Sequence, residues 1–180
     1  MKYNYISLAL FVMSFCSVIA QSDSSKTTLE EFEVTTNRVG ENSPVAHENI
    51  SKEEIEVNNH GVDLPILLDQ ATSVVTTSDA GAGVGYTGIR IRGSDATRVN
   101  VTINGIPFND AEGQGVYWVN MPDLSSSTND IQIQRGVGAS ATGASAFGAS
   151  INLRTLSTIN SNKPYGEISN SYGSFNTLKN

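Results

Sequence analysis

Cysteine is all but missing from this sequence: Cys16 is the only one in 180 residues. It lies in the first twenty, where Lys2 precedes an apolar stretch from Ile6 to about Phe15 and Val18-Ile19-Ala20 gives way to polar Gln21. That order of charge, apolar run and small terminal residue predicts a signal peptide over residues 1–20, cleaved after Ala20. Once it is removed, the mature chain has no thiol, which excludes disulfides, cysteine metal sites and thiol catalysis. Long apolar runs are also lacking, since none reaches the roughly 18 residues that a membrane-spanning helix needs. Cations are few: eleven Lys and Arg face eighteen Asp and Glu, with a pI near 4.7. That balance argues against a nucleic-acid partner, which would require clustered positive charge. The two histidines, His47 and His60, sit thirteen positions apart among polar residues and suit solvent better than a metal.

Most of the net negative charge is near the start. Residues 22–60 hold nine acidic residues against three basic ones, whereas 61–180 hold nine against seven, so an acidic leader precedes a nearly neutral, glycine-rich body. Residues 21–45 read as a flexible leader. Within it, Phe32 and Val34 alternate with Glu31, Glu33 and Thr35, a strand pattern with no neighbour to pair with. Ser51 and Glu54 have capping-box spacing and open a short helix. Asp63-Leu64-Pro65 opens another, with Leu64, Leu67, Leu68 and Ala71 on one face.

From Val74 onward the apolar period shortens to two. Ile89/Ile91, Val99/Val101/Ile103, Ile131/Ile133 and Ile151/Leu153 each alternate with polar residues, which predicts four short strands in one small sheet with a single apolar face. Asn104-Gly105 between Ile103 and Ile106 is a two-residue type I′ hairpin signal. Because the chain reverses there, the loops Gly93–Thr97 and Asn109–Tyr117 must emerge together at the opposite end of the sheet. Gly136–Ser150 holds almost nothing larger than Thr apart from Val137 and Phe147, so it is suited to close backbone approach.

Catalytic signatures are absent. Gly83-Val84-Gly85-Tyr86-Thr87-Gly88 fits a dinucleotide fingerprint by letter but leads into a strand rather than a helix. Gly136–Ala141 follows a strand, yet no Asp or Glu occurs between Asp130 and Glu167 to bind a ribose. No nucleophile, base or metal set is nominated, so the chain is expected to be no enzyme and to need no cofactor.

Taken in order, the leader, Glu31-Phe32-Glu33-Val34-Thr35, Gly88-Ile89-Arg90-Ile91-Arg92-Gly93, Arg98–Pro107 and Ile131-Gln132-Ile133-Gln134-Arg135-Gly136 resemble the plug region of TonB-dependent outer-membrane receptors. The likeness runs over about residues 29–156, with Asn104 where the family commonly has Asp. It implies an α+β fold: a small mixed β-sheet plug with short helices and apical loops, followed by the start of a transmembrane β-barrel. The strands' Asn, Thr, Gln and Arg faces would meet a wet barrel wall.

The resemblance further implies a TonB box at about 29–36, with Glu31, Phe32, Glu33, Val34, Thr35 and Thr36 adding as a strand to the C-terminal domain of TonB, which works with ExbB/ExbD. Arg92 and Arg135 would lock the plug to barrel glutamates. Ser94, Asp95, Gln114, Tyr117 and Trp118 would face the extracellular ligand, with a ferric siderophore the expected class. The domains implied are a signal peptide at 1–20, a leader at 21–45, a plug at 46–158 and a first barrel strand within 159–180, which would make the chain an N-terminal fragment lacking its barrel. Two other readings stand beside this one: a secreted α+β ligand-binding or adhesion module without TonB coupling, and an exported nucleotide-binding enzyme resting on Gly136–Ala141.

Overall fold

The computed structural model describes residues 38–40, 43–138, 143, 145–157, 164, 166, 168, 170–174 and 177–179. The expected signal peptide and TonB box lie outside them.

Among the described residues the first element is β1, His47–Ile50, followed by helix α1, Lys52–Asn58. Ser51 caps α1 as its spacing predicts: its Oγ accepts from the Glu54 N–H, and Glu54 Oε2 accepts from the Ser51 N–H at 2.8 Å. Helix α2, Leu64–Leu67, makes a single α turn with Pro65 in it and tightens into a 3₁₀ turn over Leu68–Gln70. The predicted face survives this tightening, since Leu64, Leu67, Leu68 and Ala71 are all buried.

Strands β2, Val74–Ser78, and β3, Thr87–Ile91, form an antiparallel ribbon of their own. This corrects the expectation that Ile89 and Ile91 belong to the main sheet. Their alternation is real, with both buried and Arg90 exposed, but their partner is β2.

The main sheet contains β1, β4 (Val99–Ile103), β5 (Ile106–Pro107), β6 (Thr128–Arg135) and β7 (Ala149–Thr155), in the spatial order β1-β6-β7-β4-β5. It is mixed: β4 and β7 run parallel and the other pairs antiparallel. The Asn104-Gly105 hairpin forms as read, with φ of 52° and 81° and Ile103 opposite Ile106. The chain ends in a small ribbon of β8 (Ser171–Gly173) and β9 (Thr177–Lys179). Of the rest of the expected barrel strand, Tyr165–Phe175, half lies outside the described residues. Among the described residues no helix is long and apolar enough to cross a membrane.

Register aligns like with like. Ile50, Ile131, Leu153 and Ile103 form one row across four strands, and Ile133, Ile151 and Val101 form the next. Ile55, Leu64, Leu67, Leu68, Val74, Ile89, Ile91 and Trp118 join them in one core. Each such side chain contributes about 1.5–3 kcal/mol by leaving water.

The opposite face carries two polar rows, Asn49-Gln132-Asn152-Thr102 and His47-Gln134-Ser150-Asn100. Here the structure overturns an expectation. Six of these residues, Gln132, Asn152, Thr102, Gln134, Ser150 and Asn100, are at most 3% exposed, so the chain itself covers the face expected to meet a barrel wall. Buried polar groups need partners, and they bond one another: Thr102 Oγ1 donates to Asn152 Oδ1 at 2.7 Å and Gln134 Nε2 to Gln132 Oε1 at 3.0 Å. Part of the cover comes from the leader, where Arg38 and Val39 are fastened to β6 and β7, so these two residues are not a free tail.

Candidate functional site

Three loops converge at the N-terminal end of β4. The first, Gly93–Arg98, starts from a tight turn in which Arg92 and Gly93 both have positive φ, 51° and 78°, and Ile91 and Ser94 exchange backbone hydrogen bonds. A non-glycine residue in that region costs about 1–2 kcal/mol. Asp95 then caps the turn Ala96–Arg98 by accepting from the Thr97 N–H at 3.0 Å. The Thr97 hydroxyl, with help from Arg98 and Arg90, holds the Asp95 carboxyl below its usual range.

The second loop, Asn109–Tyr117, returns from β5 to the same end. Asn109 fixes it there: its Oδ1 accepts from the Val101 N–H at 2.7 Å, and its Nδ2 donates to the carbonyls of Val99 and Gln114 at 2.9 and 2.8 Å. Asp110 tightens the tip by accepting from the Glu112 and Gly113 N–H groups. This pairing of loops was legible from the hairpin turn alone.

The third is the small-residue stretch between β6 and β7. The Gly148 N–H donates to the Arg98 carbonyl at 2.8 Å, and a β-carbon at position 148 would overlap Ser94 Cβ and Oγ. Gly143 lies against the Asn100 amide and the Pro107 ring. In both places the small residues let the backbone approach this chain's own loops and strands. Gly136–Gly138 leads into this loop, and among the described residues no helix starts there to receive a pyrophosphate.

The sequence-predicted ligand residues separate on burial. Gln114 and Tyr117 are exposed on the second loop, and Ser94 and Asp95 are half-buried on the first. Trp118 is 3% exposed and part of the core, which corrects its expected ligand role. It follows an exposed tyrosine in a 3₁₀ turn, so one ring packs inward while its neighbour stays in water. Phe108 and Phe147, which the sequence reading did not select, are also exposed, at the end of β5 and in the third loop. The signal that could have found them is a large aromatic in a loop of otherwise small or polar residues.

Arg92 and Arg135 come together with an acidic partner from this chain. Arg135 Nη1 donates to Glu48 Oε2 at 2.7 Å, and Arg92 Nη1 donates to the Arg135 carbonyl at 3.4 Å. Burial would raise the Glu48 carboxyl, but hydrogen bonds from Arg135 and Thr72 outweigh it and hold the group below its ordinary value. On the polar face, Asp130 lies between two guanidiniums, with Arg38 at 2.5 Å and Arg154 at 2.7 Å. Burial opposes ionisation there too, yet Arg154, Asn129 and Arg38 together keep the carboxyl below its usual range. Among the described residues no three acidic, His or Cys side chains gather as a metal site would require.

Residues 40–150 match the family model of the TonB-dependent receptor plug domain. Among solved structures, a mutant of the ferric enterobactin receptor PfeA of Pseudomonas aeruginosa superposes with a TM-score of 0.50 at 20% identity, over 64% of this chain and 18% of that one. The siderophore receptor PirA of Acinetobacter baumannii gives 0.49 at 20%, over 62% and 17%. The Serratia marcescens hemophore receptor HasR, a double mutant solved with its hemophore HasA and heme, gives 0.47 at 23%, over 64% and 17%. At 20% identity the likeness to PfeA is one of fold alone, and the chain spans less than a fifth of the length of each of these receptors. No curated protein sequence matches the chain.

Proposed function

The chain belongs to the TonB-dependent receptor plug domain family, and from that premise we propose that it closes the lumen of an outer-membrane β-barrel and takes part in active uptake of a scarce nutrient. The relatives are transporters rather than enzymes, and they reside in the outer membrane. The observation that carries the reading is the arrangement over residues 40–150: a mixed sheet on a compact apolar core, with three loops gathered at one end. A plug needs one end to meet the ligand and a chain leading away from it to be gripped.

In this reading residues 1–20 are the cleaved signal peptide, 21–45 the leader, 46–158 the plug and 159–180 the first barrel strand. Glu31–Thr36 is the TonB box, and Arg92, which is exposed, is the better placed of the two arginines for a barrel carboxylate. Gln114, Tyr117, Ser94 and Asp95 face the ligand, together with Phe108 and Phe147. A ferric siderophore is the ligand class we favour, since the siderophore and enterobactin receptors share this fold.

The direct experiment is capture of this chain by the purified TonB C-terminal domain, paired with growth on ferric siderophores under iron starvation in cells lacking the gene. Capture that disappears when residues 29–36 are deleted supports the reading. Equal capture with and without them removes the assigned box.

A further inference from the structure

Asp63 is a carboxylate in poor surroundings for a lone charge. It is 1% exposed at the start of α2, and its side chain does not cap that helix. Oδ2 accepts from the Thr87 hydroxyl at 2.9 Å, whereas Oδ1 is buried and has no hydrogen-bond partner. Among the described residues no Lys, Arg or His forms an ion pair with it. Burying a carboxylate is costly unless a cation or a full set of donors faces it.

The chain nearest to it supplies oxygen. Residues 79–86 join β2 to β3, and Gly81, Gly83 and Gly85 in this loop have positive φ of 72°, 74° and 96°. Asp63 holds the loop at two points: its N–H donates to the Gly83 carbonyl at 2.8 Å, and its carboxylate takes the Thr87 hydroxyl. The Ser78 hydroxyl accepts from the Gly83 N–H at 3.1 Å. A carboxylate, a carbonyl and two hydroxyls are thus linked through Asp63 and Gly83, with no imidazole or thiolate among them. A β-carbon at position 83 would lie 3.1 Å from Val62 Cγ1, so glycine lets the backbone come this close. Residues 79–82 are exposed, which keeps the path from solvent short.

We propose that Asp63 and this loop bind a monovalent metal cation of the sodium class. Its oxygens are Asp63 Oδ1, the Gly83 carbonyl and the hydroxyls of Thr87 and Ser78, with water completing the shell. Oxygen donors of this kind suit hard cations, and backbone and hydroxyl oxygens make a cluster of acidic side chains unnecessary. Charge decides among them. One carboxylate neutralises one sodium ion, whereas calcium would leave a net positive charge in a buried place and takes about six to eight oxygens. The ion ties α2 to the β2–β3 ribbon and fixes the loop that leads into Ile89 and Ile91. Neither the TonB box nor the ligand-facing loops take part.

The test is hydrogen exchange, read by mass spectrometry on the intact protein in detergent, in sodium chloride and in choline chloride at equal ionic strength. Sodium at about 0.3 M is expected to slow exchange of the Gly83 and Thr87 amides about tenfold, as a dissociation constant of about 30 mM gives, and to leave the Asn104-Gly105 hairpin unchanged. Equal exchange in the two salts overturns the proposal, a water then filling the place beside Oδ1. Equal slowing at the hairpin overturns it too, because salt has then strengthened the whole fold. Calcium chloride that protects the loop more than sodium does at the same ionic strength overturns the monovalent assignment. Asp63→Asn keeps the shape and removes the charge, so its loop should exchange alike in both salts; a sodium effect that persists there overturns the site. Thr87→Ala, which removes one oxygen, is the second variant should Asp63→Asn not fold. It should need several times more sodium for the same protection, and undiminished protection overturns the site.

Discussion

Arg135 and Glu48 form a diagonal pair across β1 and β6, with 2.7 Å between Nη1 and Oε2, and the same carboxylate oxygen accepts from the Thr72 N–H at 3.2 Å. One side chain thereby ties the edge strand to the turn that leads into β2. The Arg135 side chain is 13% exposed and that of Glu48 32%, so the pair is partly shielded. Glu48→Gln is expected to lower stability by about 1–2 kcal/mol, less than for a fully buried pair because water reaches the carboxylate. A urea midpoint indistinguishable from the native chain would show that the pair holds nothing.

The acid limb of stability follows from Glu48 and Asp130. Both carboxyls lie below their ordinary values, 4.5 and 3.8, in the folded chain, so the unfolded chain binds their protons more readily. Their contribution is complete above those ordinary values and is lost as pH falls through the lower folded ones. The thermal midpoint should therefore change little from about pH 7 to 5 and fall below about pH 4.5. Asp130→Asn, which cannot titrate, should start lower and descend less steeply. An equally steep descent in that variant would exclude Asp130 as a source.

Gly148 tests the close approach of two loops. Gly148→Ala sets a methyl group against Ser94 and is expected to destabilise by about 1–3 kcal/mol. Ser94→Gly in the same chain should restore most of that loss, and a double-mutant cycle measures the coupling. Additive effects would mean the strain lies elsewhere.

Asn109→Ala removes three hydrogen bonds that hold the second loop against β4. At about 1 kcal/mol each the loss approaches 2–3 kcal/mol, partly recovered by water at the exposed Gln114 carbonyl. Hydrogen exchange should quicken at the Val101 amide, whose acceptor is the Asn109 side chain, more than at the β6 amides. Uniform quickening across the sheet would point to global loss instead.

For the proposed TonB box, Val34→Pro removes a backbone donor from the strand that would be added to TonB. Uptake should fall to the level of cells lacking TonB while ligand binding at the cell surface is kept. Undiminished uptake counts against residues 31–36.

Local signals were legible wherever the sequence itself carries the constraint. Ser51 and Glu54 are three apart because a cap requires it, and Asn104-Gly105 supplies the two positive φ values of its turn. Period two told which side chains of β4, β6 and β7 share a face. It could not tell that the polar face is covered, because alternation looks the same whether Gln132 meets water, a barrel or Val39. Strand β1 escaped notice because His47-Glu48-Asn49-Ile50 has one apolar residue in four, and its place is fixed by pairing with β6. Trp118 was misread for a related reason. An aromatic beside a polar loop can turn either way, and only the core of Ile and Leu beneath it decides.

The order of strands also sets a schedule. β7 is the last strand of the main sheet to be synthesised, yet it occupies the middle of the five, between β6 and β4. Until Ala149–Thr155 exist, the chain can form only the outer pairs, β1 with β6 and β4 with β5, each with an open edge where β7 belongs. The apolar rows cannot close across that gap. A growing chain thus stays short of its folded sheet for its first 155 residues and completes that sheet in one late step.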